Sequence, residues 1–211
     1  MPEDGALALK PASLDHAHAA ALSFGGTTAL HFFRAAKLTA GEQVLVNGAS
    51  GSVGTAAVQL AKHFGAEVTA VCSAANADLV RSLGATNVID YKTEDFTRNG
   101  QAYDVIIDTA GTAPFGRSSA SLRDGGRLLI VLGSMGALLS IPWVALTNSR
   151  KAIGGTANGS AADLQLLAEL AERGELTPVI DRRYRFEEIV EAHRYVDTGR
   201  KKGNVVITLE H

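Results

Sequence analysis

The stretch "VNGASGSVGTAAVQLAK", residues 46–62, decides the fold of this chain. It begins at the end of an apolar run, residues 43–46, and continues into a helix predicted over residues 52–64. Its glycines recur at intervals of three residues, at Gly48, Gly51 and Gly54. A glycine turn between a strand and a helix is typical of pyrophosphate binding, because glycine leaves room for the ligand and the helix N-terminus supplies free N–H groups.

The residues alone leave two interpretations of this turn open. The strict glycine pattern is not met, since Ala49 stands where its first glycine would be. In one interpretation the turn is a nucleotide cradle, and Ser50 and Ser52 add hydroxyl donors to phosphate. In the other it is a tight turn without a ligand, and those hydroxyls only cap the helix. The strand before the turn and the helix after it favour the cradle.

The rest of the chain alternates short β-branched runs with stretches of helical period. Strands are predicted at residues 43–46, 67–72, 87–90, 105–108, 127–132 and 151–154. Helices are predicted between them at residues 52–64, 76–83, 115–122 and 161–173. This alternation is typical of βαβ units. The fold class is therefore predicted as α/β, a doubly wound Rossmann parallel sheet with helices on both faces.

Four segments follow from this pattern. Residues 1–40 are predicted as an N-terminal helical segment that packs on the Rossmann domain and is interrupted at Gly25 and Gly26. Residues 41–176 form the dinucleotide-binding core. Residues 177–208 form a C-terminal return segment of strand, helix and strand, which exceeds what the sheet requires. Residues 209–211 match the beginning of an expression tag.

Composition excludes several classes of function. The chain has 211 residues, of which 46% are hydrophobic and 20% charged, with a formal net charge of -2. This balance provides no basic stripe for nucleic acid. The single Cys72 excludes an internal disulfide framework, and the start of the chain lacks the pattern of a signal peptide, so a cytoplasmic location is expected. Residues 128–149 carry no charge, but their glycines and Pro142 favour a strand and turn over a membrane span.

The end of the second strand bears on the choice of nicotinamide cofactor. A carboxylate there hydrogen-bonds the free 2′-hydroxyl of NAD and repels the 2′-phosphate of NADP. Residues 72–76 contain no carboxylate, whereas Ser73 and Asn76 can hydrogen-bond a phosphate. NADPH is therefore the predicted cofactor, with NADH possible. Arg81 and Lys92 are the nearest basic residues in sequence.

Longer motifs carry a family resemblance. The run from "FGGTTALHFF" through "GEQVLVNGASGSVGTAAVQLAK" to "LVRSLGATNVIDYKTEDF" resembles the cofactor domain of medium-chain dehydrogenases/reductases, most of all their zinc-independent quinone oxidoreductase branch. The later "YDVIIDTAG", "GGRLLIVLGS" and "GRKKGNVVIT" extend the likeness to nearly the whole chain. The resemblance implies that the chain is a cofactor domain, with C-terminal strands left from a missing GroES-like substrate domain.

The resemblance also implies which residues contact the cofactor. Ser52 and Val53 would contact the pyrophosphate, in agreement with the cradle interpretation of the turn, to which Gly48, Ser50, Gly51 and Gly54 also belong. Thr27 would approach the nicotinamide, and Val131, Leu132 and Gly133 the nicotinamide ribose. Ser73, Asn76 and Tyr91 would surround the adenosine ribose and its phosphate, Thr109 and Ala110 would lie on the adenine side, and Lys202 would lie near the cofactor. Ala75 departs from relatives that carry arginine there, which weakens the NADPH assignment.

The implied activity is hydride transfer from NADPH to a quinone, enone or other activated carbonyl compound, without zinc and without an assigned catalytic residue. Ser23 stands where zinc alcohol dehydrogenases carry a cysteine ligand, so no metal is expected. Two alternatives stay open: the cofactor domain of a zinc-type alcohol dehydrogenase, and a non-catalytic dinucleotide-binding module. A small-molecule substrate and a homodimer are the expected partners, with no nucleic acid and no membrane.

Overall fold

The computed structural model describes residues 6–132 and 149–209. Within these residues, six parallel strands form one sheet in the order β3-β2-β1-β4-β5-β6. The strands are β1 Gln43–Asn47, β2 Glu67–Cys72, β3 Asn87–Asp90, β4 Tyr103–Asp108, β5 Leu122–Ile130 and β6 Lys151–Gly154. The order reverses between β1 and β4, which is the switch point of a Rossmann sheet. The predicted fold class is confirmed.

The central strand explains why the sheet lies at the core. Val44, Leu45 and Val46 are fully buried, and successive side chains point to opposite faces. Val44 and Val46 belong to one apolar cluster and Leu45 to another. A strand covered on both faces is a continuous apolar run, which is typical of a parallel sheet.

Among the described residues, helices cover one face of the sheet more fully than the other. The larger of the two apolar clusters, which contains Val44 and Val46, includes residues from four helices: α1 His16–Ala36, α2 Ser52–His63, α3 Ala77–Ser82 and α5 Ala161–Glu172. The opposite face is covered by the short α4, Phe115–Ser118, and by Phe96 from the connection after β3. The helix predicted over residues 115–122 is therefore shorter than expected. It ends in a 3₁₀ turn, Ser119–Ser121, because Leu122 already pairs with β4.

The predicted interruption of the N-terminal helix is wrong. The helix α1 runs through Gly25 and Gly26 without a break. A side chain at Gly25 would come within 2.6 Å of the Ser52 carbonyl oxygen, and one at Gly26 within 2.8 Å of Leu167. These glycines therefore serve close helix packing, and the sequence pattern does not reveal that tertiary requirement.

The C-terminal return segment forms a second, small sheet. The strand β7, Ile180–Arg185, pairs in parallel with β8, Asn204–Thr208, and α6, Ile189–Asp197, connects them. Val206 and Ile180 pack against Ala17 and Ala21 of α1. The two strands of the return segment thus pair with each other.

No helix within residues 6–132 and 149–209 has the length and apolar character needed to cross a membrane.

An ion pair joins β5 to Glu42, the residue directly before β1, although β5 and β1 are not neighbours in the sheet. Both terminal nitrogens of Arg127 in β5 donate to the Glu42 carboxylate, at 2.8 and 2.7 Å, across the intervening β4. The Thr39 N–H donates to the same carboxylate at 2.9 Å. Burial acts to raise the pKa of Glu42, but the Arg127 and Thr39 hydrogen bonds and the Arg127 charge outweigh it, so the pKa is lowered.

Glu42→Gln is expected to lower the free energy of unfolding by about 2 kcal/mol at pH 7, because a largely buried charged hydrogen bond is lost. A carboxylate with a lowered folded pKa stabilises the protein above its ordinary pKa of 4.5 and loses that contribution as the pH falls through the folded value. The difference between wild type and variant should therefore shrink below pH 4.5. Urea unfolding followed by circular dichroism from pH 7 downward measures it.

Asp78→Asn is the matched control, since Asp78 forms an exposed ion pair with Arg81 at 3.2 Å. It should leave the unfolding free energy unchanged. A Glu42→Gln effect that does not vary with pH would contradict the role given to the ion pair.

Candidate dinucleotide site

The glycine turn lies at the switch point of the sheet. Gly48 has φ +80°, a conformation that other residues rarely adopt, and a side chain there would come within 2.7 Å of Thr109 Oγ1. The Thr109 hydroxyl donates to the Asn47 carbonyl at 2.8 Å. The turn after β1 is therefore packed directly on the loop after β4.

The other two glycines have different roles. A side chain at Gly54 would collide with the Gly48 carbonyl and with the Ala49 backbone, so glycine lets α2 begin against the turn. A side chain at Gly51 would meet only the Gly48 carbonyl oxygen, at 3.4 Å. The space beside Gly51 is thus open, as the approach of a ligand to the backbone requires.

The first turn of α2 presents unused donors beside this space. The N–H groups of Ser52, Val53 and Gly54 have no hydrogen-bond acceptor among the described residues, and no side chain caps the helix at Gly51. The partial positive charge of a helix N-terminus attracts an anion to such N–H groups. This end of α2 fits the pyrophosphate of a dinucleotide.

A cleft of about 610 Å³ opens at the carboxyl ends of the central strands. Gly51, Ser52 and Val53, at the start of α2, line this cleft. Several other predicted residues line the same cleft, namely Thr109, Val131 and Leu132. The structure therefore brings these six predicted residues together, whereas Gly133 lies outside the described residues.

Thr27, predicted to approach the nicotinamide, does not line this cleft. Phe24 and Thr28 of α1 line the cleft, whereas Thr27 lies beside Gly159. The Thr27 hydroxyl donates to the Ser23 carbonyl at 2.8 Å, and the Thr28 hydroxyl to the Phe24 carbonyl at 2.7 Å. Both protons are used within the helix, so these hydroxyls can serve a ligand only as acceptors.

Asn76, predicted to contact the adenosine ribose, connects the loop after β2 to the glycine turn. Its Nδ2 donates to Ser50 Oγ at 3.0 Å, and its buried Oδ1 has no hydrogen-bond partner among the described residues. A buried polar atom without a partner is rare in a folded protein, and here a ribose hydroxyl would satisfy it. Rotating the amide would present Nδ2 instead, which suits a phosphate.

The remaining predicted residues on this side make backbone contacts. The Ser73 carbonyl accepts the Asn76 N–H at 2.9 Å, and the Tyr91 N–H donates to the Cys72 carbonyl at 3.2 Å. The Tyr91 side chain is exposed. Asp90 pairs in register with Cys72, so a carboxylate lies at the end of the neighbouring strand, which a search of residues 72–76 alone misses.

A buried carboxylate holds the loop after β4 in place. Asp108 Oδ1 accepts the Asn47 side-chain amide at 2.8 Å and the N–H groups of Ala110 and Gly111 at 3.1 and 3.0 Å. Its Oδ2 accepts the Ala113 N–H at 2.8 Å. Ala110 is thereby fixed at the rim of the site, although its side chain does not line the cleft.

The structure places Lys201, and not the predicted Lys202, in the lining of the cleft. Lys202 is exposed, and its N–H donates to Asp181 Oδ2 at 3.0 Å. Lys201 Nζ donates to the Gly203 carbonyl at 2.8 Å. Burial lowers the pKa of the Lys201 ammonium, against the opposing charge of the Asp181 carboxylate.

Sequence reasoning missed Lys201 and the loop formed by Gly155, Thr156 and Ala157, all of which line the cleft. It also missed Asp108, which does not line the cleft but holds the loop after β4. The loop of residues 155–157 follows β6 directly. Ligands of open α/β sheets bind outside the carboxyl ends of strands, so the predicted strand at residues 151–154 could have pointed to it. Among the described residues, no group of three or more His, Cys, Asp or Glu side chains is arranged to hold a metal ion. The Ser23 hydroxyl donates to the Ala20 carbonyl at 3.2 Å.

Comparisons of the sequence with a family model and with curated proteins point to the same family. A family model described as zinc-binding dehydrogenase matches residues 83–207. The 2-methylene-furan-3-one reductase of Solanum lycopersicum is 35% identical over 209 residues, which cover 97% of this chain and 50% of that protein. The chloroplastic NADPH-dependent alkenal/one oxidoreductase of Arabidopsis thaliana is 32% identical, with the same coverage of 97% and 50%.

A solved structure agrees with these relatives. The quinone oxidoreductase from Coxiella burnetii superimposes with a TM-score of 0.88 at 29% identity, covering 96% of this chain and 64% of that one. The chain thus spans about half the length of the curated relatives it matches. Its six-stranded parallel sheet matches the Rossmann-like cofactor domain of this superfamily. The chain therefore belongs to the zinc-binding dehydrogenase family, within the medium-chain dehydrogenases/reductases, whose members are oxidoreductases that use a nicotinamide dinucleotide.

Proposed function

We propose that this chain is the cofactor-binding part of an NADPH-dependent reductase that acts on quinones, enones or related activated carbonyl compounds, without zinc. The observation that carries the proposal is the first turn of α2, where the N–H groups of Ser52, Val53 and Gly54 lack acceptors among the described residues beside the open space at Gly51. The names of two relatives, alkenal/one oxidoreductase and quinone oxidoreductase, support the substrate class.

When bound, the nicotinamide supplies the hydride, and the protein's task is to hold and orient it. The helix N-terminus would bind the pyrophosphate, and Lys201 would place a positive charge at the same cleft. Val131, Leu132 and Phe24 would form the walls on the nicotinamide side. Apolar walls exclude water from a reacting centre and so protect a hydride from side reactions.

The preference for NADPH is supported by the loop after β2. Residues 73–76 contain no carboxylate that would repel a 2′-phosphate, and Asn76 can present its amide donor after rotation. Arg81 is engaged with Asp78, and Asp90 lies at the next strand end, so the expected discrimination is moderate.

Calorimetric titration of this chain with NADPH and NADH tests the proposal. NADPH is expected to bind about tenfold more tightly, which corresponds to about 1.4 kcal/mol. Gly51→Val should abolish binding of both, because its side chain would fill the open space beside α2. Gly51 has φ -81° and ψ -179°, which valine adopts readily, so the fold should be retained.

Gly116→Val is the matched control, since a side chain there meets nothing within 4 Å and lies away from the cleft. It should bind like wild type. Tighter binding of NADH would contradict the cofactor preference, and binding of neither dinucleotide would contradict the proposal itself.

A pair of lysine variants tests which side chain faces the ligand. Lys201→Met keeps the length of the side chain but removes the charge, and it is expected to weaken NADPH binding about tenfold, because a charge-assisted contact to phosphate is lost. Lys202→Met should leave the affinity unchanged, since the Lys202 side chain is exposed. Calorimetric titration of both variants with NADPH measures this. A loss of affinity in Lys202→Met and none in Lys201→Met would instead support the sequence-based prediction that Lys202 lies near the cofactor.

We further propose that the protein is a cytoplasmic homodimer that acts on a small molecule. A single cysteine, buried at Cys72, suits a reducing compartment. The strand β6 lies at the edge of the described sheet, and an edge strand offers unpaired backbone groups to a second copy. Sedimentation equilibrium is expected to give twice the mass of one chain, and a single-chain mass at all concentrations would contradict dimerisation.

A further inference from the structure

The start of the closing strand β8 reaches the glycine turn. The Gly203 N–H donates to the Ser50 carbonyl at 2.8 Å, and Gly51 and Gly203 form an isolated parallel bridge. Gly203 has φ +63°, and a side chain there would collide with Val179. Glycine is therefore required for this approach, in which a residue near the end of the chain contacts the turn after β1.

The next residue, Asn204, holds the first residue of α2. Its side-chain Nδ2 donates to the Val179 carbonyl at 3.0 Å, and its backbone N–H donates to the same carbonyl at 2.8 Å. The Val179 contact fixes the orientation of the amide, because a carbonyl can only accept. Oδ1 must then face Ser52, whose hydroxyl donates to it.

This contact changes the role expected of Ser52. A serine hydroxyl has one proton, and here that proton is used on Asn204. Ser52 can therefore offer a phosphate its backbone N–H but not its hydroxyl proton. The side chain serves instead to attach the N-terminus of α2 to β8.

We propose that Asn204 is a positioning residue for the dinucleotide: through the Ser52 hydroxyl it fixes the first turn of α2, so that the closing strand and the bound dinucleotide stabilise each other. This inference rests on the proposed function. A coupling of this kind is reciprocal, because a contact that favours the binding-competent position of α2 is in turn favoured by the ligand.

The test compares variants at two ends of the same strand. Asn204→Ala removes the contact to Ser52, and Thr208→Ala is the matched control, since the Thr208 hydroxyl donates to the Tyr184 carbonyl at 3.2 Å and does not contact the turn. Asn204→Ala also loses the hydrogen bond to Val179, the residue before β7, and Thr208→Ala loses the hydrogen bond to Tyr184 in β7. Loosening of the small sheet alone would therefore affect both equally.

Calorimetric titration with NADPH is expected to give about a tenfold loss of affinity for Asn204→Ala and none for Thr208→Ala. Ser52→Ala should lose a similar factor, and the Ser52→Ala/Asn204→Ala double variant should lose no more than either single variant, because both remove the same contact. In the wild type, NADPH should slow hydrogen exchange of the amides in residues 203–207, and Asn204→Ala should remove that protection.

The outcomes separate the two proposals. If the wild type binds neither NADPH nor NADH, the proposed function fails. If the wild type binds and Asn204→Ala binds equally well, or if Thr208→Ala loses as much affinity, only the positioning role of Asn204 is overturned. If Asn204→Ala does not fold, Ser52→Ala removes the same hydrogen bond from the other side, and unchanged affinity in that variant overturns the inference.

Discussion

The close approach of the helix α2 to the glycine turn is the constraint on which the rest of the site depends. Glycine at position 54 lets the first turn of α2 lie against the Gly48 carbonyl, which a side chain would prevent. The first turn of α2, whose N–H groups have no acceptor in the described part of the chain, thereby lies beside the cleft at the switch point of the sheet. Any wider spacing would move the donors away from the carboxyl ends of β1 and β4.

The same helix end is held from two further directions. Gly25 of α1 allows the Ser52 carbonyl to pack against that helix, and Asn204 of β8 accepts the Ser52 hydroxyl proton. These contacts come from the beginning and the end of the chain, on either side of the Rossmann core. A preorganised set of donors costs less to order when a ligand binds, which is the physical advantage of such bracing.

Secondary structure was largely predictable, because strands and helices alternate with clear periods. The bounds of β2, β3 and β6 agree with the prediction. The error at Gly25 and Gly26 has a plain cause, since two adjacent glycines weaken a helix in isolation and only packing on Ser52 and Leu167 compensates for that. Packing of this kind cannot be read from local pattern.

By itself the sequence determined the α/β class, the glycine turn and the family, since these depend on periodicity and on short motifs that act locally. Tertiary structure decided which neighbouring side chain faces the cleft: Thr28 beside Thr27 on a helix, and Lys201 beside Lys202 before a strand. A shift of one residue changes the direction of a side chain completely, and only the docking of each element fixes that direction. It also decided that Ser52 donates to Asn204, a pairing of residues 152 positions apart that only the folded chain creates.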